Sequence, residues 1–153
     1  MKQVLAEALA DLTALVGSEI GTSDWMEITQ ERIDAFAEAT NDHQFIHVNP
    51  ELAAQTPFGG TIAHGYLTLA LVVPLASEVE MPVGNPMMGV NYGSDKIRFP
   101  APVPVGSRIR ARVAIAGVSE VVGGIQINRT VTMEIEGQEK PAMVAETLVR
   151  LYY

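Results

Sequence analysis

Between Pro57 and Ser77 the chain carries no Asp, Glu, Lys or Arg, and this uncharged run constrains the fold more than any other stretch. Its length invites comparison with a membrane span, which needs about 20 apolar residues. However, Pro57, Gly59, Gly60, His64, Gly65 and Pro74 interrupt it, leaving only Tyr66 to Val73 unbroken. The expectation is therefore a buried helix that starts at Thr61 or His64, runs to about Val79, and bends or breaks at Pro74, which has no N–H to donate. Because it is apolar on all sides, it must be wrapped by other structure.

What wraps it comes next in the chain. After Pro86, residues 88–99, 107–118, 124–135 and 142–152 are long β-branched-rich segments, separated by turn signals at Pro100-Ala101-Pro102, Val122-Gly123-Gly124 and Gly137-Gln138. Ile109, Ala111, Val113 and Ile115 alternate with Arg108, Arg110, Arg112 and Ala114, the period of a half-buried strand. Four such strands after one buried helix predict an α+β fold, an antiparallel sheet wrapped on a central helix. Upstream, residues 3–16 have helical spacing, Gly17 and Gly21 punctuate, and Asp24 to Ile28 reads as a short strand. Thr29 N-caps a helix that ends near Asn41-Asp42, and Asn49-Pro50 starts a short helix over Glu51 to Gln55. No repeat or linker divides the chain, so residues 1–153 read as one domain.

Composition narrows the function. A net charge of -8 argues against nucleic acid as a partner. Five of the ten basic residues (Lys96, Arg98, Arg108, Arg110 and Arg112) nevertheless crowd into one stretch, suited either to a small polyanion such as a nucleotide-bearing cofactor or to a solvated strand face. With no cysteine, disulfides, thiolate metal sites and Cys nucleophiles are excluded, which fits a reducing cytoplasm. Glu7 and Asp11 interrupt what would otherwise have to be the apolar core of a leader, so neither targeting nor membrane insertion is expected.

Asp42 and His47 stand five positions apart just past a predicted helix, and Gly65 opens the apolar run. Adding water to a carbon–carbon double bond beside a thioester needs a base for the water, an acid for the α-carbon and stabilisation of charge on the thioester oxygen. A carboxylate and a neutral imidazole sharing one water supply the first two. Backbone N–H groups at a helix start supply the third, and a glycine there lets a carbonyl approach closely.

The string from Phe36 through Asp42, His47 and Asn49-Pro50, with Phe58-Gly59-Gly60-Thr61-Ile62-Ala63-His64-Gly65, resembles the MaoC-like (R)-specific enoyl-CoA hydratases, and more closely their nodulation-protein-N-like branch. Asn91-Tyr92-Gly93 followed by Lys96 to Gly106 also resembles that branch, so the likeness runs from about residue 20 to the end. The resemblance implies a hot-dog fold, a homodimer with sheets joined edge to edge, an acyl-CoA substrate and no resident cofactor or metal. It places the catalytic pair on Asp42 and His47 and the oxyanion-hole glycine on Gly65. Where the broader pattern has Gly before the Asp and Asn-Pro ahead of the His, this chain has Asn41, Gln44 and Phe45. Gln44 retains an amide suited to orienting the pair.

Plainer readings stand beside these. His64 suits packing or capping at the central helix start, donating to a nearby carbonyl. His43 and His47 have the spacing of a chelating pair, although the polar context there reads as loop rather than helix. Met81, Met87 and Met88 suit either an acyl tunnel or ordinary core filling. The resulting expectation is a lyase that hydrates trans-2-enoyl-CoA to (R)-3-hydroxyacyl-CoA, or dehydrates in reverse. The rival readings are a hot-dog thioesterase and a non-catalytic acyl-CoA-binding module.

Overall fold

The computed structural model describes residues 2–153. The alternating strand residues, the long β segments and the short capped helices predicted above assemble in the order α1 (Lys2–Ala14), β1 (Glu19–Thr22), β2 (Met26–Glu27), α2 (Gln30–Thr40), α3 (Phe45–Val48), α4 (Pro50–Ala53), α5 (Gly65–Ala70), α6 (Val72–Ala76), β3 (Met88–Arg98), β4 (Arg108–Val121), β5 (Gly124–Ile135) and β6 (Met143–Tyr152). The strands form one antiparallel sheet in the order β1-β4-β5-β6-β3, with β2 also paired to β4.

Period-two patterning sets the sheet's inner face. Ile109, Ala111, Val113 and Ile115 of β4 are fully buried, and their register partners on β5 include Val131, Met133 and Ile135. All of these side chains but Ile115 pack on Leu67, Leu71, Val72, Leu75 and Ala76 of α5 and α6. A second cluster, built on Ala8 and Leu12 of α1 with Ile125, Ile127 and Leu151, closes the other end of the sheet. The result is the expected helix wrapped by a curved antiparallel sheet, the hot-dog arrangement.

Three details differ from the sequence reading. Gly21 does not end an element but lies within β1, at an irregularity in its pairing with β4. A Cβ there would come within 3.1 Å of Val79, so the glycine serves close packing. The strand expected over residues 24–28 contracts to Met26–Glu27. The segment read as loop around His47 is a single helical turn, α3.

The central helix is the largest departure. It breaks at Leu71, between α5 and α6, not at Pro74 itself. The cause is still the proline: a Pro ring clashes with the carbonyl four residues earlier, here Ala70, and removes the hydrogen bond that carbonyl would accept. Nor is the helix wrapped on all sides. Tyr66, Ala70, Val73 and Pro74 form an exposed stripe along it, and ten of the eleven residues of β3 are exposed.

Candidate active site

Three local devices bring the site together. Asn41 caps α2 in the left-handed conformation (φ 57°, ψ 26°), turning the chain so that Asp42 leaves the helix axis. Asn49 N-caps α4 by accepting from the Leu52 N–H at 3.0 Å, with Pro50 in the first turn, and so anchors the chain just after α3. The Gln30 amide then ties α3 down: it donates to the His47 carbonyl at 2.8 Å and accepts from the Thr61 hydroxyl at 2.5 Å.

His47 is buried, and its Nδ1 lies 2.7 Å from the Ile62 carbonyl. A carbonyl can only accept, so Nδ1 carries the proton and Nε2 presents a lone pair. Burial, reinforced by the neighbouring His64, pulls the His47 pKa below its ordinary 6.5, although the Ile62 carbonyl and Asp42 pull the other way. The ring is thus held neutral near pH 7, as a base requires.

His64 stacks on His47, with ring centroids 3.8 Å apart and planes 23° from parallel. Its Nε2 donates to the Asp42 carbonyl at 2.9 Å, the packing role read from the sequence, while its Nδ1 is buried with no hydrogen-bond partner among the described residues. One ligand-type atom from each of Asp42, His47 and His64 lies within 4.8 Å of the others. The expected pair therefore converges, and a second imidazole joins it. His43 is not in this cluster; it lies 2.7 Å from Glu38 on the surface.

Gly65 is the first residue of α5 and lines a cavity of about 380 Å³ together with His47, Phe58, Phe99, Val103 and Ala142. A Cβ on Gly65 would meet the Phe99 ring at 3.3 Å, so a larger residue would have to displace that wall of the cavity. Gln44 enters the site through its backbone. Its carbonyl accepts from the His47 N–H at 2.9 Å, and its own N–H faces Asp42 Oδ1 at 3.4 Å, while the side chain makes no capping bond.

Other candidates fall outside the site. Arg108, Arg110 and Arg112 form ion pairs with Glu136, Glu134 and Glu19 across neighbouring strands, so the solvated-face reading accounts for them. Met87 and Met88 are exposed, and Met81 packs with the α1 cluster, away from the cavity that holds His47. Sequence reasoning missed Gln30 and Thr61, because their partners are 17 and 31 residues away and leave no local pattern. It also missed Arg129, whose signal was available: it occupies an inward position between Ile127 and Val131.

Comparison with known proteins bears on the family and the fold. The MaoC-like domain family matches residues 11–138. The chain is 52% identical over 145 residues to 3-hydroxyacyl-thioester dehydratase Z of Mycobacterium tuberculosis, covering 94% of this chain and 95% of that one. It is 43% identical over 152 residues to nodulation protein N of Rhizobium leguminosarum bv. viciae, covering 95% and 92%. Among solved structures, the (R)-hydratase from A. caviae involved in PHA biosynthesis superposes with a TM-score of 0.73 at 25% identity, covering 89% of this chain and 96% of that one.

Proposed function

The chain belongs to the MaoC-like family, in its nodulation-protein-N-like branch, and on that premise we propose that it is an (R)-specific hydro-lyase acting on acyl-CoA thioesters. It adds water reversibly to trans-2-enoyl-CoA to give (R)-3-hydroxyacyl-CoA. The observation that carries this reading is the convergence of the Asp42 carboxylate with a buried, neutral His47 whose cavity is walled by Gly65.

In the hydration direction, Asp42 and His47 hold one water between them and take a proton from it as its oxygen bonds to the β-carbon. The double-bond electrons move toward the thioester, and the Gly65 N–H stabilises the charge gathering on the carbonyl oxygen. The proton held by the pair is then delivered to the α-carbon, which restores the starting enzyme. Atoms balance with water as the only co-reactant, so the chemistry calls for neither cofactor nor metal.

A homodimer belongs to the same proposal. A long edge strand with unpaired backbone groups invites pairing, and β3 is such an edge, with Val90 and Tyr92 exposed. The exposed stripe of the central helix offers a second apolar surface to the other copy. The absence of cysteine suits a cytoplasmic setting.

Hydration of crotonyl-CoA, followed by loss of the enoyl-thioester absorbance, tests the reading in the wild type and in Asp42→Asn and His47→Gln. The expected result is an (R)-3-hydroxy product whose rate of formation falls roughly 10²–10⁴-fold in each variant. Release of free CoA without hydration would move the assignment to a thioesterase. Binding without turnover across a chain-length series would move it to a non-catalytic acyl-CoA module.

A further inference from the structure

On the inner face of β5, the alternation Ile125, Ile127, Val131, Met133 and Ile135 is interrupted by Arg129, which is only 7% exposed. Among the described residues its guanidinium makes one hydrogen bond, a long one from Nε to the Thr147 hydroxyl at 3.4 Å. Among the described residues it forms no ion pair. An isolated buried charge is costly, and a guanidinium cannot escape the cost by losing its proton. Burial pulls its pKa below the ordinary arginine value with no opposing carboxylate.

Arg129 is not sealed in the core. It lines a cavity of about 410 Å³ whose other walls include Leu69, Val72, Ile97, Thr147 and Ser94. The strand register places Arg129 opposite Thr147 and Thr147 opposite Ser94, so a polar row crosses the inner face of the sheet beneath an apolar wall. This cavity lies next along the central helix from the one that holds His47. Thr68 lines the cavity with His47, and the next residue, Leu69, lines the one with Arg129. Phe99 and Ile97, two positions apart, divide in the same way. Measured along the central helix from Gly65 to Leu69 and Val73, the separation is about 6–12 Å at 1.5 Å per residue. A medium-length acyl chain spans that distance.

Resting on the lyase reading above, we propose that Arg129 is the receptor for a carboxylate at the far end of the acyl chain, so that the substrates include ω-carboxyacyl thioesters. A thioester held at Gly65 would lay its methylenes between the central helix and the sheet. Its terminal carboxylate would meet the planar guanidinium, with the Thr147 hydroxyl beside it. The bidentate geometry open to Arg and a carboxylate suits such an anchor.

The test is binding of saturated thioesters, which reads the site without chemistry. Calorimetric titrations compare succinyl- through sebacyl-CoA with plain acyl-CoAs of matched length, on wild type, Arg129→Met and Arg129→Gln. The expected result is a preference for the carboxylate of about tenfold or more at one or two lengths in the wild type. That preference should fall to near unity in both variants. Two variants are used so that a folding failure in one leaves the other to decide. Absence of any preference in the wild type, or its survival in the variants, overturns the proposal. So does a variant that loses self-association while its thioester binding stays the same, since the counter-ion would then be a carboxylate of a second copy. Crotonyl-CoA hydration measured on the same wild-type sample separates the two readings. Preference without turnover removes the lyase and keeps the site, whereas turnover without preference does the reverse.

Discussion

At the scale of single residues, His47 sets the pH behaviour. Its pKa lies below 6.5 in the folded chain, so between that value and 6.5 the unfolded chain binds more protons. Stability contributed by neutral His47 is therefore complete above pH 6.5 and is lost as pH falls through the lowered value. Activity should follow the same titration. The acid limb of kcat/KM has its midpoint below 6.5, and His47→Gln removes that limb from whatever rate remains; a midpoint above 6.5 would contradict the burial argument. Gly65 permits a second check. Gly65→Ala must displace the Phe99 ring, 3.3 Å from the new methyl, so kcat/KM for crotonyl-CoA should fall while the chain still folds. Thermal melting alongside the kinetics separates loss of the site from loss of the fold. Arg129 makes an opposite prediction: replacing a buried unpaired charge with Met raises the melting temperature, whereas breaking a real ion pair would lower it.

At the scale of elements, short capped helices hold the catalytic groups where long ones would not fit. Neither α3 nor α4, four residues each, could persist as an isolated helix. The Asn49 cap and the Gln30 clamp hold them in place. Asn49→Ala removes the bond to the Leu52 N–H and should cost about 0.5–2 kcal/mol in urea denaturation. Because Asn49 also follows the His47 turn, kcat should drop with it. The asparagine–proline signature made this cap visible in the sequence. The Gln30 clamp was invisible, because its partners come from a different helix and a different loop. The break in the central helix lies between these cases: Pro74 announced it, but the strain falls one turn earlier, where the carbonyl of Ala70 meets the ring.

At the scale of the whole molecule, the exposed surfaces carry the remaining prediction. The single chain leaves β3 uncovered along its length and an apolar stripe open on α5 and α6. If a second copy covers them, the wild type sediments at twice the chain mass. Val90→Lys, which puts a charge on that edge, should shift it to monomer without unfolding it. A wild type that sediments as monomer at micromolar concentration would defeat the homodimer.

The sequence by itself determined the elements and the identity of the chemical groups. Strand alternation, caps, proline and the uncharged run are local signals, each set by backbone sterics or by burial within one segment. They sufficed for an antiparallel sheet around a helix; Asp42, His47 and Gly65 were picked out by the chemistry a hydration needs and by the family resemblance, not by these local signals. Tertiary structure alone decided which groups touch: His64 stacked on His47, Gln30 bound to Thr61, the arginines of β4 paired with glutamates, and Arg129 facing a cavity. Those contacts join residues far apart in the chain, and only the packing of the finished sheet against its helix sets their distances.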